Sequence, residues 1–391
     1  MDSFEPALAG LRVVDLSSTL MGPYCTMLLA QWGAEVVKVE PPQGDPARYI
    51  DDIHGTGMGP FFLNANRGKR SVVLDLKSPA GAESLSGLLD WCDVVVHALR
   101  PDSARDLGLD ADSIVRRHPR CVALAFRGFG RGGPAADEPA YDDIIQARSG
   151  VADLQRTGAD PAYVRSALTD KVVGLYGTAA LLAALRQRDR TGRGVALDIP
   201  MLETMTAFNL VDQQGGHVFD PPAGPPGYGR TASKHRRPYA TKDGAVSVLI
   251  YTDRHWRVFF DLIGRPELAE SPRYRTIRER TQHIDELYQL VAEKLAERTS
   301  REWIDLLGSH KIPIGPVNRL AELAGDPQLV ATGFFTPVEH PSEGPLRLPR
   351  ATGPTGTNPP PQRDWAPLLG ADTESVLAML TPATTNGTVD G

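Results

Sequence analysis

The sequence predicts an α/β protein: a large domain built on a parallel sheet with helices on its faces, then a smaller α+β domain. Three observations carry that prediction. Through residues 11–199, apolar runs of strand length alternate with segments of helical texture. Those runs are almost continuously hydrophobic, as strands covered on both faces are. The texture then breaks at "FDPPAGPPGYGR" (219–230), a Pro/Gly-rich stretch of the kind that separates domains.

In chain order, "LRVVDL" (11–16) reads as a buried strand, Pro23–Trp32 as a helix stopped by Gly33, and "AEVVKVE" (34–40) as the next strand. "SVVLDL" (71–76) is the third, followed by a helix with Ser78 as cap and Pro79 at its first position, where a missing N–H costs nothing. "DVVVHAL" (93–99), "CVALAF" (121–126) and "VALDI" (195–199) continue the series, with a helix from about Met201. Beyond the break, "RPYAT" and "AVSVLI" flank Lys242-Asp243-Gly244, a hairpin signal. Helices are predicted over 253–263, 283–297 and 301–308, the last capped by Ser300, and "IPIGPVN" (312–318) closes the smaller unit. The tail from about Pro359 reads as largely loop, ending in a disordered "TPATTNGTVDG". The domain bounds that follow are 1–218 for the large domain, 225–325 for the small one, and 326–391 for a segment returning to the large one.

Composition excludes several classes. With 41% hydrophobic and 23% charged residues the chain is an ordinary globular protein, and a net charge of -6 leaves no global basic field for nucleic acid or anionic membrane. Cys25, Cys92 and Cys121 have no metal-ligand spacing, and an odd number argues against a disulfide framework. The N-terminus lacks a basic leader and no apolar stretch appears long enough to span a bilayer, so the expected location is cytoplasmic, without membrane partner or metal. Without a leader, Asn386-Gly387-Thr388 is a chance match to a glycosylation acceptor.

Two stretches carry candidate chemistry. "CVALAFRGFGRGGPA" (121–135) contains G-x-G-x-x-G at 128–133, but Pro134 follows and no helical pattern begins before about Tyr141. A dinucleotide cradle needs a helix opening at the glycines, so this run reads as a turn. The other is Asp170, which opens a helix that ends near Arg190 with Gly192 beyond; Gly174, Gly177, Ala180 and Ala184 give it a stripe of small residues. Asp170 reads either as an N-cap or as a nucleophile. The physics is shared, since a helix N-terminus favours an ionised carboxylate, which attacks without a general base.

From Leu8 almost to the end, the chain resembles a family III (CaiB/BaiF-type) coenzyme A transferase. The likeness rests on "LAGLRVVDLSSTLMGPYCTMLLAQWGAEVVKVEPPQGDPAR", "NRGKRSVVLDLKSPAG", "RGFGRGGPAADEPAYDDIIQARSGV" and "HKIPIGPVN". The resemblance implies a Rossmann-like large domain, an interlocked homodimer, and coenzyme A as a substrate rather than a tightly bound cofactor. Asp170 falls at the family's nucleophilic aspartate. That implies transfer of CoA from an acyl-CoA to a free carboxylic acid through a covalent aspartyl intermediate. Arg127, Gly128, Phe129 and Gly130 then line the CoA and acyl site, with bare amides available for an oxyanion. Leu74, Asp75, Leu76 and Lys77 match a segment along the cofactor, and Ala98, Leu99 and Arg100 match one beside its pantetheine and adenine. Arg105 sits one place before a common family arginine, where this chain has Asp106, and Pro41 replaces a basic residue of some members. "KHRRPY" (234–239) is a further candidate for phosphate or acyl contacts. Two alternatives share the contacts: an α-methylacyl-CoA racemase and a non-catalytic acyl-CoA-binding protein. Racemases of this type carry His where this chain has Tyr141, whose phenol is a poor acid/base substitute. A binding protein would not need Asp170.

Overall fold

The computed structural model describes residues 5–156, 159–350 and 363–380. The chain divides into two units: Asn209–Thr332, and the residues on either side of it. The first crossing between them falls inside a helix, some residues ahead of the Pro/Gly-rich stretch.

The flanking unit begins with β1 (Arg12–Asp15), α1 (Met21–Gln31), β2 (Glu35–Glu40), α2 (Pro60–Ala65), β3 (Lys69–Val73), α3 (Pro79–Trp91) and β4 (Val94–His97). It continues with α4 (Pro101–Asp106), α5 (Ala111–Arg117), β5 (Val122–Arg127), α6 (Asp142–Arg148), α7 (Val151–Leu154), α8 (Leu168–Thr191), β6 (Ala196–Pro200) and α9 (Met201–Gln213). The six strands form one sheet in the order β3-β2-β1-β4-β5-β6, every pair parallel. Strand order reverses between β1 and β4, and a crevice opens there beyond the strands' carboxyl ends.

Alternation along the strands builds a core on each face. Val13, Val94, Val96, Leu124 and Phe126 face one way with residues of α1 and α8; Val14, Val37, Val95 and Ala123 face the other with residues of α3 and α5. The small-residue stripe of α8 is explained by these contacts. A Cβ on Gly174 would lie 2.5 Å from the Met21 carbonyl oxygen, and one on Gly177 would lie 2.4 Å from Phe126. Contrary to the sequence reading, α8 is long and apolar enough to cross a bilayer, yet Val173, Leu181 and Leu185 place it in the protein core. It ends at Gly192, which takes the left-handed conformation a C-cap needs.

Beneath the crevice lie three buried ion pairs: Lys69 with Asp15, Lys38 with Asp45, and Arg48 with Glu40. Lys38 Nζ also donates to the Ser17 carbonyl at 2.8 Å, and Asp45 Oδ1 accepts the Thr19 N–H at 3.0 Å. Strand ends and the loops after β1 and β2 are thus held as one assembly.

The second unit comprises α10 (Gly229–Ala232), β7 (Tyr239–Ala240), β8 (Ala245–Val248), α11 (Asp253–Leu262), α12 (Glu267–Glu270) and α13 (Ile277–Gln282), then α14 (Ile284–Leu295), α15 (Ser300–Ser309), β9 (Ile314–Pro316) and α16 (Pro327–Ala331). Its antiparallel sheet, β7-β8-β9, covers a core of Trp256, Phe259, Phe260 and Trp303. The cap of α15 is Thr299 rather than Ser300: Thr299 and Glu302 form a reciprocal capping box, while the Ser300 N–H goes to Asp243.

The chain then returns with β10 (Phe335–His340), β11 (Gly344–Pro349) and α17 (Thr373–Leu380). That last helix lies in the tail that reads as largely loop; the disorder expected after Leu380, and Asn386, lie outside the described residues. The returning segment closes the outer edge of β3. Ser71 N–H donates to Asp372 Oδ2 at 2.9 Å, Asp372 N–H returns to the Ser71 carbonyl, and Val73 N–H donates to Thr373 Oγ1. Arg363 binds the Lys69 carbonyl and pairs with Asp372.

Candidate active site

Two cavities occupy the crevice and share Ser18, Pro46 and Leu99 in their walls. The larger, of about 720 Å³, is lined by Leu74, Asp75, Leu76 and Lys77, with Pro41 and Asp106 also in its wall. The smaller, of about 280 Å³, is lined by Ala98, Arg100, Arg127, Gly128, Tyr141 and Asp170 among others. Of the residues singled out in the sequence, Arg105, Phe129 and Gly130 line neither cavity. Arg105 pairs with Asp102 on an exposed helix face, and Phe129 is buried beneath the Arg148 guanidinium. The 234–239 cluster belongs to the Asn209–Thr332 unit.

Local chemistry explains the larger wall. The strand predicted to run to Leu76 ends at Val73, because Asp75 turns the chain: its Oδ1 accepts the Lys77 N–H at 3.0 Å and its carbonyl the Ser78 N–H. Residues 74–77 therefore leave the sheet and face the cavity. Ser78 then caps α3 as predicted, accepting the Gly81 N–H at 3.0 Å. After β4, buried His97 accepts the Leu99 N–H on Nδ1 at 3.3 Å. Burial, with Arg127 adding, pushes the His97 pKa down to about 4, so the ring is neutral and serves as a fixed acceptor.

The glycine loop is built differently from the expectation. Gly130 N–H donates to Glu203 Oε1 at 2.9 Å, so that amide is already committed and is not a bare oxyanion donor. A Cβ there would fall 2.5 Å from the same oxygen, and one on Gly128 would fall 2.4 Å from Ala140 Cβ. These glycines permit close approach. Arg127 Nε pairs with Asp198 at 2.5 Å and Arg131 Nε with the other Asp198 oxygen at 2.9 Å, pinning both ends of the turn to β6.

Asp170 is not an N-cap. Helix α8 starts two residues earlier, with Ala167 at the cap position and Asp170 in the first turn. Its carboxylate accepts no hydrogen bond among the described residues and lines the smaller cavity. Nor does the helix end hold it ionised. Burial first, and the Asp142 carboxylate second, push its pKa up to about 7, with Lys171 opposing. The first-turn amides are spent elsewhere: Thr169 N–H and Asp170 N–H donate to Asp142 Oδ1 at 2.7 and 3.1 Å. Asp142, Glu203 and Asp198 were not identified from the sequence. Asp142 stands in the quoted "YDDII" block, but nothing local ties it to a helix 27 residues on.

Among the described residues, no cluster of three or more His, Cys, Asp or Glu side chains gathers as metal ligands would.

Comparison with known proteins gives a consistent picture. Residues 8–373 match the family model described as CoA-transferase family III. A succinate–glutarate CoA-transferase of Agrobacterium fabrum is 30% identical over 97% of this chain and 97% of its own length. A formyl-CoA:oxalate CoA-transferase of Streptomyces coelicolor is 32% identical, covering 95% and 94%. The crystal structure of a CaiB/BaiF family protein from Brucella suis superposes with a TM-score of 0.79 at 26% identity, over 97% of this chain and all of that one.

Proposed function

The chain belongs to CoA-transferase family III, and from that premise we propose that it moves coenzyme A from an acyl-CoA to a free carboxylic acid through a covalent intermediate on Asp170. The observation that carries this reading is the Asp170 carboxylate, unpartnered among the described residues, in a cavity that shares walls with the larger groove.

The steps conserve the thioester's energy. Ionised Asp170 attacks the donor thioester carbonyl, forming a mixed anhydride and releasing CoA thiolate. The thiolate attacks the aspartyl carbonyl, releasing the donor acid and leaving an aspartyl-CoA thioester. The acceptor carboxylate attacks that thioester, giving a second anhydride and again the thiolate. The thiolate then takes the acceptor's acyl group, and Asp170 is restored as carboxylate. The larger cavity suits the cofactor, running past Leu74–Lys77. The smaller suits a short acid, with Arg100 in its wall as a cation for carboxylate. Each of the two relatives described above has at least one dicarboxylic acid in its name, and we take a short dicarboxylic acid as the acceptor class. Tyr141, 72% exposed and standing where racemases of this type carry His, supports transfer over proton exchange at an α-carbon.

The experiment is incubation with succinyl-CoA followed by hydroxylamine. A hydroxamate on the peptide containing Asp170 is expected, with loss of turnover in Asp170→Asn while CoA binding survives. Full activity in Asp170→Ala overturns the mechanism. Rapid exchange of the α-proton of a 2-methylacyl-CoA with deuterated water, in the absence of any acceptor acid, would place the chemistry with racemases instead.

A further inference from the structure

We infer that Asp142 is a positioning residue for the nucleophile: it caps α8 from outside that helix and sets a fixed negative charge against Asp170. The inference rests on the reading of Asp170 given above.

Helix α8 carries no cap of its own. Ala167 offers no side-chain oxygen, and an uncapped first turn leaves amides without partners. Asp142 supplies what is missing. Its Oδ1 accepts the Thr169 N–H, the Thr169 hydroxyl at 2.5 Å and the Asp170 N–H. The backbone bearing the nucleophile is therefore fixed by a residue on another helix.

Asp142 is itself immobilised. It is the first residue of α6, and its second oxygen accepts Gln146 Nε2 at 2.6 Å. Gln146 is fully buried, and its Oε1 accepts the Val164 N–H at 2.8 Å, tying the approach to α8 onto α6. With both oxygens engaged, the Asp142 carboxylate cannot rotate away from Asp170.

The charge matters as much as the geometry. The charged groups acting on Asp170 are Asp142 from α6 and Lys171 beside it on α8, and Arg100, Arg127, Glu138 and Tyr141 share the wall of its cavity. Lys171 is turned aside onto Ser166 Oγ at 2.5 Å. Asp142 thus meets Asp170 as a like charge, and takes the amides that would otherwise have stabilised it. A more basic carboxylate is a stronger nucleophile. Acylating Asp170 also abolishes its charge, so the repulsion present in the resting enzyme is relieved in the anhydride and the aspartyl thioester. Asp142 then favours the covalent states over the free one.

The test separates the cap from the charge. Asp142→Asn keeps an oxygen acceptor for Thr169 and Asp170 but carries no charge; Asp142→Ala keeps neither. The readout is the rate of adduct formation on Asp170, by rapid quench and mass spectrometry from pH 5 to pH 9, with circular dichroism verifying the fold. Wild type is expected to show an acid limb near neutrality. Asp142→Asn should move that limb down by at least about one pH unit and lower the plateau rate about tenfold. Asp142→Ala should lower the plateau further. An unchanged limb and a plateau within twofold of wild type in Asp142→Asn overturn the inference while leaving Asp170 as nucleophile. No adduct on wild-type Asp170 overturns both.

Discussion

Lys69 Nζ lies 2.9 Å from Asp15 Oδ2, and neither side chain is exposed to solvent. The same carboxylate accepts the Ser17 N–H and the Thr26 hydroxyl, so the pair is part of the support for the loop that enters both cavities. Lys69→Met leaves a buried anion with only hydroxyls, an amide and more distant cations around it. The expected loss of stability is about 3–5 kcal/mol, read by denaturant titration. Asp15→Asn combined with Lys69→Met should recover part of that loss, because no uncompensated charge remains.

Acid should weaken the same assembly. Burial pushes the Asp15 carboxyl up, but Lys69, Lys38 and the Ser17 and Thr26 hydroxyls outweigh it and hold it well below its ordinary 3.8. Glu40 behaves likewise against its ordinary 4.5: burial is outweighed by Arg48, Lys38 and Ser71. A depressed carboxylate contributes stability above its unfolded value and loses it as pH falls toward the folded one. Unfolding free energy should therefore be level in this respect above about pH 5 and fall steadily from about pH 4.5 downward. A flat profile from pH 5 to pH 3 would contradict the account.

Asp170 has the opposite sign. A carboxyl raised to about 7 in the fold penalises folding at neutral pH, where the unfolded chain ionises freely. Asp170→Asn should abolish turnover yet raise the thermal midpoint at pH 8, and the gain should vanish by pH 4. A variant less stable than wild type at pH 8 would contradict the shift.

The contact between Gly130 and Glu203 predicts a coupled pair. Gly130→Ala places a methyl against Glu203 and removes room for the amide contact, costing about 1–3 kcal/mol and lowering kcat. Glu203→Ala in the same chain should relieve the overlap, so the double variant loses less stability than the two singles added together. Strict additivity would show that the loop yields without strain.

Assembly offers a further check. We propose the interlocked homodimer that the family resemblance implies, and Leu175 and Tyr176, each more than half exposed on the core helix α8, give it apolar surface to cover. Threaded chains separate only by local unfolding, so a dilution series should show slow dissociation that mild denaturant accelerates. A monomer in rapid equilibrium at micromolar concentration would refute it.

Periodicity and motif made much of this protein legible before any coordinates. The six strands, Pro79 behind Ser78, and the stop at Gly192 follow from local rules, and so does the absence of a helix opening at the glycine run, since the next one begins at Asp142. What hydrophobic periodicity missed was set by short polar side chains nearby in two places and at long range in two others. Asp75 ended a strand that hydrophobicity carried on to Leu76. Thr299 displaced Ser300 because the capping partner lay three residues ahead. From its own segment Asp170 reads as a freely ionised helix-end carboxylate, since nothing there reveals that Asp142 takes the amides and adds a charge. The Glu203 contact was equally hidden: a carboxylate 73 residues away occupies an amide that the glycine pattern suggested was free.

The closure of β3 by the returning segment bears on how the protein is made. Ser71 and its partner Asp372 are 301 residues apart, so the ribosome finishes the sheet's edge strand long before it delivers the groups that cover it. Throughout that interval the nascent chain displays the unsatisfied Lys69, Ser71 and Val73 groups at an open border, a template for pairing with any passing strand. Translation must therefore pass Thr373 before this edge strand is covered. A chain released after β3 is made but before residue 363 would keep that border open to pairing.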